Sequence, residues 1–387
     1  MKILIAPDSF KGSLTANQVA EAMREGIHSV SPETEVVIVP LADGGEGTVN
    51  SLMESTNGYF RNLEVYNPIG NKVNAQYGIT GDSKTAVIEL ASASGLQTLP
   101  KNELDPAKAS TFGSGQLILD ALEIGIRSFI ICLGGSATND GGTGILRALG
   151  FRFLDSLGKE LEPGGLALNR LHTIDESNVD ERVRNSRFQV ACDVDSPLIG
   201  PKGASFIFGP QKGALPEMAQ KLDVSLSNFA ERVYLHNGRR VHNLPGGGAA
   251  GGTSAGLYAL LNAELAPGFE IVKKSLKLNM LFEKERFDLV LTGEGRIDHQ
   301  TASGKVISSL ASLAKIYNVE TIAIAGAVED GLEVLHERGL TAAFSILDGP
   351  KSLEQAIENS FFLIKKQSEQ IYRLLKVRKN LLTNSSN

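Results

Sequence analysis

Both ends of the chain alternate short apolar runs with amphipathic helical stretches, and this alternation restricts the fold more than any other feature. KILIAP (residues 2–7) is an apolar run of the buried-strand type, stopped by Pro7 and Asp8. LTANQVAEAMREGIHSV predicts a helix: Thr15 is a candidate N-cap with Gln18 three residues on, and Val19, Ala22, Met23, Gly26 and Ile27 share one face. TEVVIVPLAD predicts a second strand, and GEGTVNSLMESTNG a second helix with a glycine stop. The end of the chain repeats the grammar, with strands in RFDLVLTGEG, VETIAIAGAVED and TAAFSILDG separated by helical stretches. Strands joined through helices run parallel, so two units at the start and three at the end predict one sheet of about five parallel strands. The stretch between them reads differently. NLEVYNPIGNKVNAQYGITGDSKTAVIEL has the turn spacing of short antiparallel strands, followed by further helices and strands. The expected division is a discontinuous parallel α/β domain over 1–61 and 286–387, carrying an inserted α+β domain over 62–285. A length of 387 residues suits two domains.

Composition excludes several classes of function. The net charge is −6 with no Lys/Arg block, which argues against sequence-independent nucleic-acid binding. No apolar run approaches the roughly 18 residues of a membrane helix. The opening MKILIAPD is too short for a signal peptide, so a soluble cytoplasmic protein is expected. With only Cys132 and Cys192, neither a disulfide framework nor a cysteine zinc site is available. The six histidines are scattered, and only His299 falls in a candidate site loop.

Glycine is the compositional oddity: 41 in 387 residues, against a usual 7 % or so. The excess falls in four short loops, DGGEG, GGSATNDGGTG, PGGGAAGG and TGEGR. Ligands of open parallel sheets bind beyond the carboxyl ends of the strands, and chemistry-bearing residues collect there. Asp8 and Lys11 follow the first predicted strand, and Asp43 and Glu46 the second. Glu294, Arg296, Asp298 and Lys305 follow DLVLT. In the middle region Ser136, Asn139 and Asp140 follow FIICLGG, and Asp193 and Asp195 follow FQVAC. Any one of these is explained as a turn former. Together they point to an anionic ligand and a hard cation.

Asp43 and Glu46 lie three residues apart, a spacing suited to Mg²⁺ or a lysine between them, to one of them taking a proton, or to acids at a helix start. Lys11 could reach a phosphate or carboxylate, or simply be an exposed loop lysine. GGSATNDGGTG couples backbone donors with side-chain hydroxyls and an amide, the composition of an anion cradle. PGGGAAGG has the dinucleotide spacing at Gly246, Gly248 and Gly251, but the polar segment RRVHN and Pro245 stand where a buried strand should. That leaves a phosphate at a helix start. Arg296 suits bidentate recognition of a carboxylate or phosphate, or else a salt-bridged joint between strand and helix. No Walker loop, nucleophile elbow or zinc-protease motif is present.

These loops together resemble one family. MKILIAPDSFKGSLTANQVAEAMREGI with PLADGGEGTV is similar to the start of the bacterial type-1 glycerate kinases. GGSATNDGGTG, ACDVDSPLIGPKGAS with FGPQKGA, PGGGAAGGTSAGL and LTGEGRIDHQTASGKV match further family segments in the same order, from Met1 to about Leu375. The resemblance implies a Rossmann-like (flavodoxin-like) parallel-sheet domain with a second α/β domain inserted in it. It implies ATP-dependent phosphorylation of D-glycerate with Mg²⁺, the 2-hydroxyl favoured and the 3-hydroxyl left open. Lys11 and Arg296 are then expected to hold the glycerate carboxylate, and Asp8 or Asp298 to act as the base. Asp43, Glu46, Asp193 or Asp195 would serve the metal. Gly134, Gly135, Ser136, Asn139, Gly246, Gly247, Gly248 and Lys305 would hold phosphates. The expected partners are D-glycerate and ATP, with no nucleic acid and no membrane, and a homodimer left open. Two other readings use the same residues: a non-catalytic sensor of phosphorylated sugar acids, and a metal-dependent phosphatase or aldolase.

Overall fold

The structure is a computed structural model that describes residues 1–45, 47–298, 301 and 305–384, with 378–384 as backbone alone. Thirteen strands are found among the described residues. They are β1 (Lys2–Ile5), β2 (Glu35–Ile38), β3 (Tyr59–Tyr66), β4 (Lys72–Ile79), β5 (Thr85–Glu89), β6 (Ser128–Cys132), β7 (Arg152–Leu154), β8 (Thr173–Asp175), β9 (Arg187–Ala191), β10 (Glu264–Ala266), β11 (Leu289–Ile297), β12 (Glu320–Val328) and β13 (Leu340–Ser345). The chain divides into two compact units, Met1–Asp43 with Val272–Asn387, and Gly44–Ile271.

The first unit is built on a five-stranded sheet in the order β13-β12-β11-β1-β2, every neighbouring pair parallel. Numbered within the unit this is 2-1-3-4-5, a doubly wound order whose switch point lies between β1 and β11. Successive side chains of a strand point to opposite faces, and each face has its own core. Ile322 and Ile324 join Ile3, Ile5, Met23 and Ile364 on one side. Ala323 and Ala325 join Ile307, Ala311 and Leu335 on the other. The helix Ala16–His28 starts as expected: Thr15 accepts from the Gln18 N–H while the Gln18 side chain accepts from the Thr15 N–H. Its buried face holds Val19, Ala22, Met23, Gly26 and Ile27. Gly26 is there for contact. A Cβ at this position would stand 2.3 Å from the backbone oxygen of Lys365, so only glycine lets the final helix pack this closely.

The second unit carries a six-stranded sheet, β10-β9-β6-β5-β4-β3. Four strands are parallel, and the β3–β4 hairpin adds antiparallel to β5. Phe129 and Phe188 stack at 4.9 Å within its core. The units divide at Gly44 and Ile271 rather than at the expected 62 and 285. The helix Thr48–Thr56, expected beside β1 and β2, belongs to the second unit, where Met53 covers Gly78 of β4. The antiparallel pair β7–β8 was not anticipated. Nor was the 22-residue helix Pro216–Asn237, although proline at its first turn and left-handed Gly238 after its end are helix punctuation.

Candidate functional site

In the first unit the chemistry gathers at the carboxyl ends of β2, β1 and β11, beside the switch point. Asp8 leaves β1 with its N–H bonded to the Gly293 carbonyl on β11, 2.8 Å away. Its side chain is 5 % exposed. Burial first, and then the negative charge of Asp43, push its carboxyl up to about 7. The Ser9 N–H, donating to Oδ1 at 2.6 Å, and the Lys11 charge only partly oppose this. Lys11 Nζ pairs with Asp43 Oδ2 at 3.0 Å. Glu294, on β11, is also raised by burial, while the Thr301 hydroxyl donating at 2.7 Å and the charge of Lys305 hold it down. Three acids and Lys11 are thus close enough to set one another's protonation.

Arg296 is exposed and already forked between two acids of this unit, Glu329 and Asp298. Asp298 accepts from the Thr301 N–H at 3.2 Å, and its charge reaches Glu294. Lys305 stands at the start of the helix Val306–Ile316. Glu46 and His299 lie outside the described residues.

The start of the helix Thr48–Thr56 also meets Glu89 at the end of β5, whose Oε1 accepts from the N–H groups of Gly47 and Val49 at 2.9 and 3.1 Å. Sequence reasoning missed Glu89, because an acid closing an apolar strand gives no sign of the helix it will cap.

In the second unit the loop after β6 is organised around Asp140, which is fully buried. Its carboxylate accepts the N–H groups of Thr111, Gly142 and Gly144 and the Thr111 hydroxyl, at 2.9–3.1 Å. Part of the expected anion cradle is therefore filled by the chain's own carboxylate. Burial raises the Asp140 pKa, and those four hydrogen bonds oppose it. Lys212, 1 % exposed, donates to Ser136 Oγ at 2.8 Å and to the Thr138 carbonyl at 2.7 Å. Burial brings its ammonium down to about 7, with Asp140 pulling the other way. Lys212 was not singled out from sequence, although FGPQKGA carries it. Asn139 Nδ2 donates to Ser205 Oγ at 3.1 Å, while Asn139 Oδ1 and Thr138 Oγ1 are buried without a partner. Gly134 and Gly135 are exposed.

The second glycine loop serves packing. A Cβ on Gly251 would lie 2.1 Å from the Thr138 oxygen, and its φ of +65° is open to glycine. The Gly247 and Gly248 N–H groups are already bonded to the Leu244 and Ser196 carbonyls at 2.8 and 2.9 Å, and Gly246 packs on Cys192. The phosphate role expected of these glycines is therefore not available to two of the three amides as they stand. The segment before the loop, residues 239–245, is irregular. Asp193 caps the helix Gly268–Ser275 by accepting the Gly268 N–H at 2.9 Å, and Asp195 is exposed. Among the described residues no three of His, Cys, Asp and Glu are arranged to hold a metal ion.

A doubly wound sheet with interacting acids and a lysine at its switch point, joined in one chain to a mixed-sheet unit with a glycine-rich loop, defines an α/β protein of the small-molecule enzyme class. Comparison with known proteins gives the particular family. The chain belongs to the glycerate kinase family, which matches residues 3–376. It is 46 % identical over 379 residues to the glycerate 2-kinase of Escherichia coli K12, covering 97 % of this chain and 98 % of that one. It is 45 % identical over 381 residues to the glycerate kinase of Bacillus subtilis 168, covering 98 % and 99 %. A crystal structure named for glycerate kinase 2 of Salmonella typhimurium LT2 superposes with a TM-score of 0.90 at 44 % identity, covering 98 % and 99 %.

Proposed function

We propose that this protein transfers the γ-phosphate of ATP to the 2-hydroxyl of D-glycerate, releasing 2-phosphoglycerate. The observation that carries the reading is Asp8, a buried carboxyl with a pKa of about 7 at the sheet's switch point. A base that takes a hydroxyl proton works best when its pKa lies near the working pH, and Asp8 meets that condition. Lys11 and Arg296 are the cations for the glycerate carboxylate; each now holds carboxylates of the chain, which a substrate carboxylate would replace. Ser136, with the exposed glycines Gly134 and Gly135, is the place for phosphate oxygens in the second unit. Phosphoryl transfer passes through a loose, highly charged transition state, so these groups act mainly by position and charge.

Among the described residues the donor set does not describe a resident metal site. A divalent ion fits this protein as part of the Mg·ATP substrate, keeping several waters and taking one or two carboxylates. Asp43, Asp193 and Asp195 are the described candidates for those places. Bound in that way, the ion would neutralise phosphate charge. The 2-hydroxyl is supported by the name of the Escherichia coli relative, glycerate 2-kinase.

The test is phosphorus NMR of purified protein with ATP, Mg²⁺ and D-glycerate. A phosphomonoester on carbon 2 is expected. No ATP turnover that depends on D-glycerate would overturn the kinase reading, and a phosphate on carbon 3 would overturn the regiochemistry alone.

A further inference from the structure

The second unit contains a cavity of about 1400 Å³, formed by the β3–β4 turn, residues 102–112, Arg147, residues 160–167 and residues 213–218. It exceeds the roughly 300–1,000 Å³ usual for small-molecule sites, and far exceeds what a three-carbon acid would fill. Tyr66, Ile69, Leu104, Phe112, Leu166 and Met218 supply apolar wall. The Tyr66 and Phe112 rings stand 6.2 Å apart and tilted.

The charges that line the cavity are four acids, Glu103, Asp105, Glu160 and Glu162, against Lys108 and Arg147. Lys108 is highly exposed and turned to Asp105 at 3.5 Å. That leaves Arg147, whose guanidinium lies over the Phe153 ring at 5.8 Å and whose Nη2 donates to the Glu162 carbonyl at 3.2 Å. Burial lowers its pKa, and the charges of Glu160, Asp140 and Glu162 oppose this.

A net excess of acid around apolar walls repels a triphosphate and repels glycerate. It suits a neutral, flat, aromatic group that carries hydroxyls and a donor amine. Ring nitrogens of a purine accept from Arg147, while its amino group and the ribose hydroxyls donate to carboxylates. Aromatic side chains give such a base a stacking surface. We propose that this cavity receives the nucleoside end of ATP, with the base against Tyr66 and Phe112 and beside the Arg147 guanidinium. This rests on the reading of ATP as phosphoryl donor.

The chain has no tryptophan. Leu215 lines the cavity and is 74 % exposed, so Leu215→Trp places a sole tryptophan at its wall. ATP and adenosine should each change its emission saturably, whereas tripolyphosphate and D-glycerate should leave it unchanged. A response to tripolyphosphate or glycerate alone, or to none of the four, overturns the assignment. Photolabelling of the native chain with 8-azido-ATP gives a second reading free of any substitution. Labelled peptides should come from 66–70, 102–112 or 213–218, and be protected by excess ATP. Labelling confined to other segments overturns the proposal. Turnover of the native chain is measured separately. A chain labelled in the cavity but inactive on D-glycerate keeps the nucleoside site and loses the glycerate reading. A chain active on D-glycerate but labelled elsewhere does the reverse.

Discussion

Asp8 holds its proton to about pH 7 because it is buried and faces Asp43, and that raised pKa costs the folded chain stability wherever the carboxyl is ionised. The unfolded value is near 4, so the stability associated with Asp8 is present below about pH 4 and lost as pH rises through about 7. Asp8→Asn removes the charge and keeps the shape. At pH 8 it should raise stability by about 4 kcal/mol, three pH units at about 1.36 each, read as a higher denaturant midpoint, while turnover falls about a hundredfold or more. A variant that is no more stable at pH 8 and retains its rate would return Asp8 to a structural turn. Asp43→Asn tests the coupling from the other side. Removing the like charge should lower the Asp8 pKa, so the acidic limb of kcat/KM moves down from about 7; an unmoved limb would mean that Asp43 does not act on the base. These residues were legible because a parallel sheet exposes its ligand edge at the strand ends, which the sequence marks with acids and glycine. Lys212 was not. A lysine beside proline and glycine reads as surface, and only tertiary packing puts its ammonium on Ser136 and Thr138.

At the scale of the element, the loop after β6 shows how a glycine-rich segment that looks like a ligand cradle can be spent internally. Three backbone donors and a hydroxyl converge on Asp140, a number that a carboxylate accepts and a carboxamide does not. Asp140→Asn replaces one oxygen by a donor facing other donors. The expected loss is about 2 kcal/mol, seen as a lower urea midpoint with an unchanged slope. An unchanged midpoint would show that the loop holds its shape without this carboxylate. The sequence spells out elements whose signals are local: the Thr15–Gln18 capping box and the apolar stripe behind it both appear as read. The helix Pro216–Asn237 was passed over for the opposite reason. Its buried positions, Ala219, Leu222, Ser225, Leu226, Phe229, Ala230 and Val233, include three small or polar residues, which thin out the apolar period. The β7–β8 pair is three residues a side, too short for alternation to register.

On the scale of the whole molecule, the parallel sheet was readable from its five βα units, but the place where one unit gives way to the other was not. Thr48–Thr56 has the same local pattern as a helix that would cover β1 and β2; packing against β4 and capping by Glu89 assign it to the second unit. The division carries a prediction about autonomy. Gly44–Ile271 is one continuous segment with its own six-stranded sheet, and its core runs from Val65 to Ala263. The first unit is made from two separated segments, and β1 is paired on one side with β2 and on the other with β11. Neither segment alone can complete that sheet, and an incomplete parallel sheet leaves unpaired backbone along its new edge. The fragment 44–271 should therefore fold by itself, with native-like far-UV circular dichroism and one cooperative urea transition. The fragment 272–387 should not. The first fragment should still take the 8-azido-ATP label, yet give no glycerate-dependent turnover, since it lacks Asp8, Lys11 and Glu294. A gradual, non-cooperative transition in 44–271 would show that its core is not self-sufficient, and turnover by 44–271 alone would remove Asp8 from the chemistry.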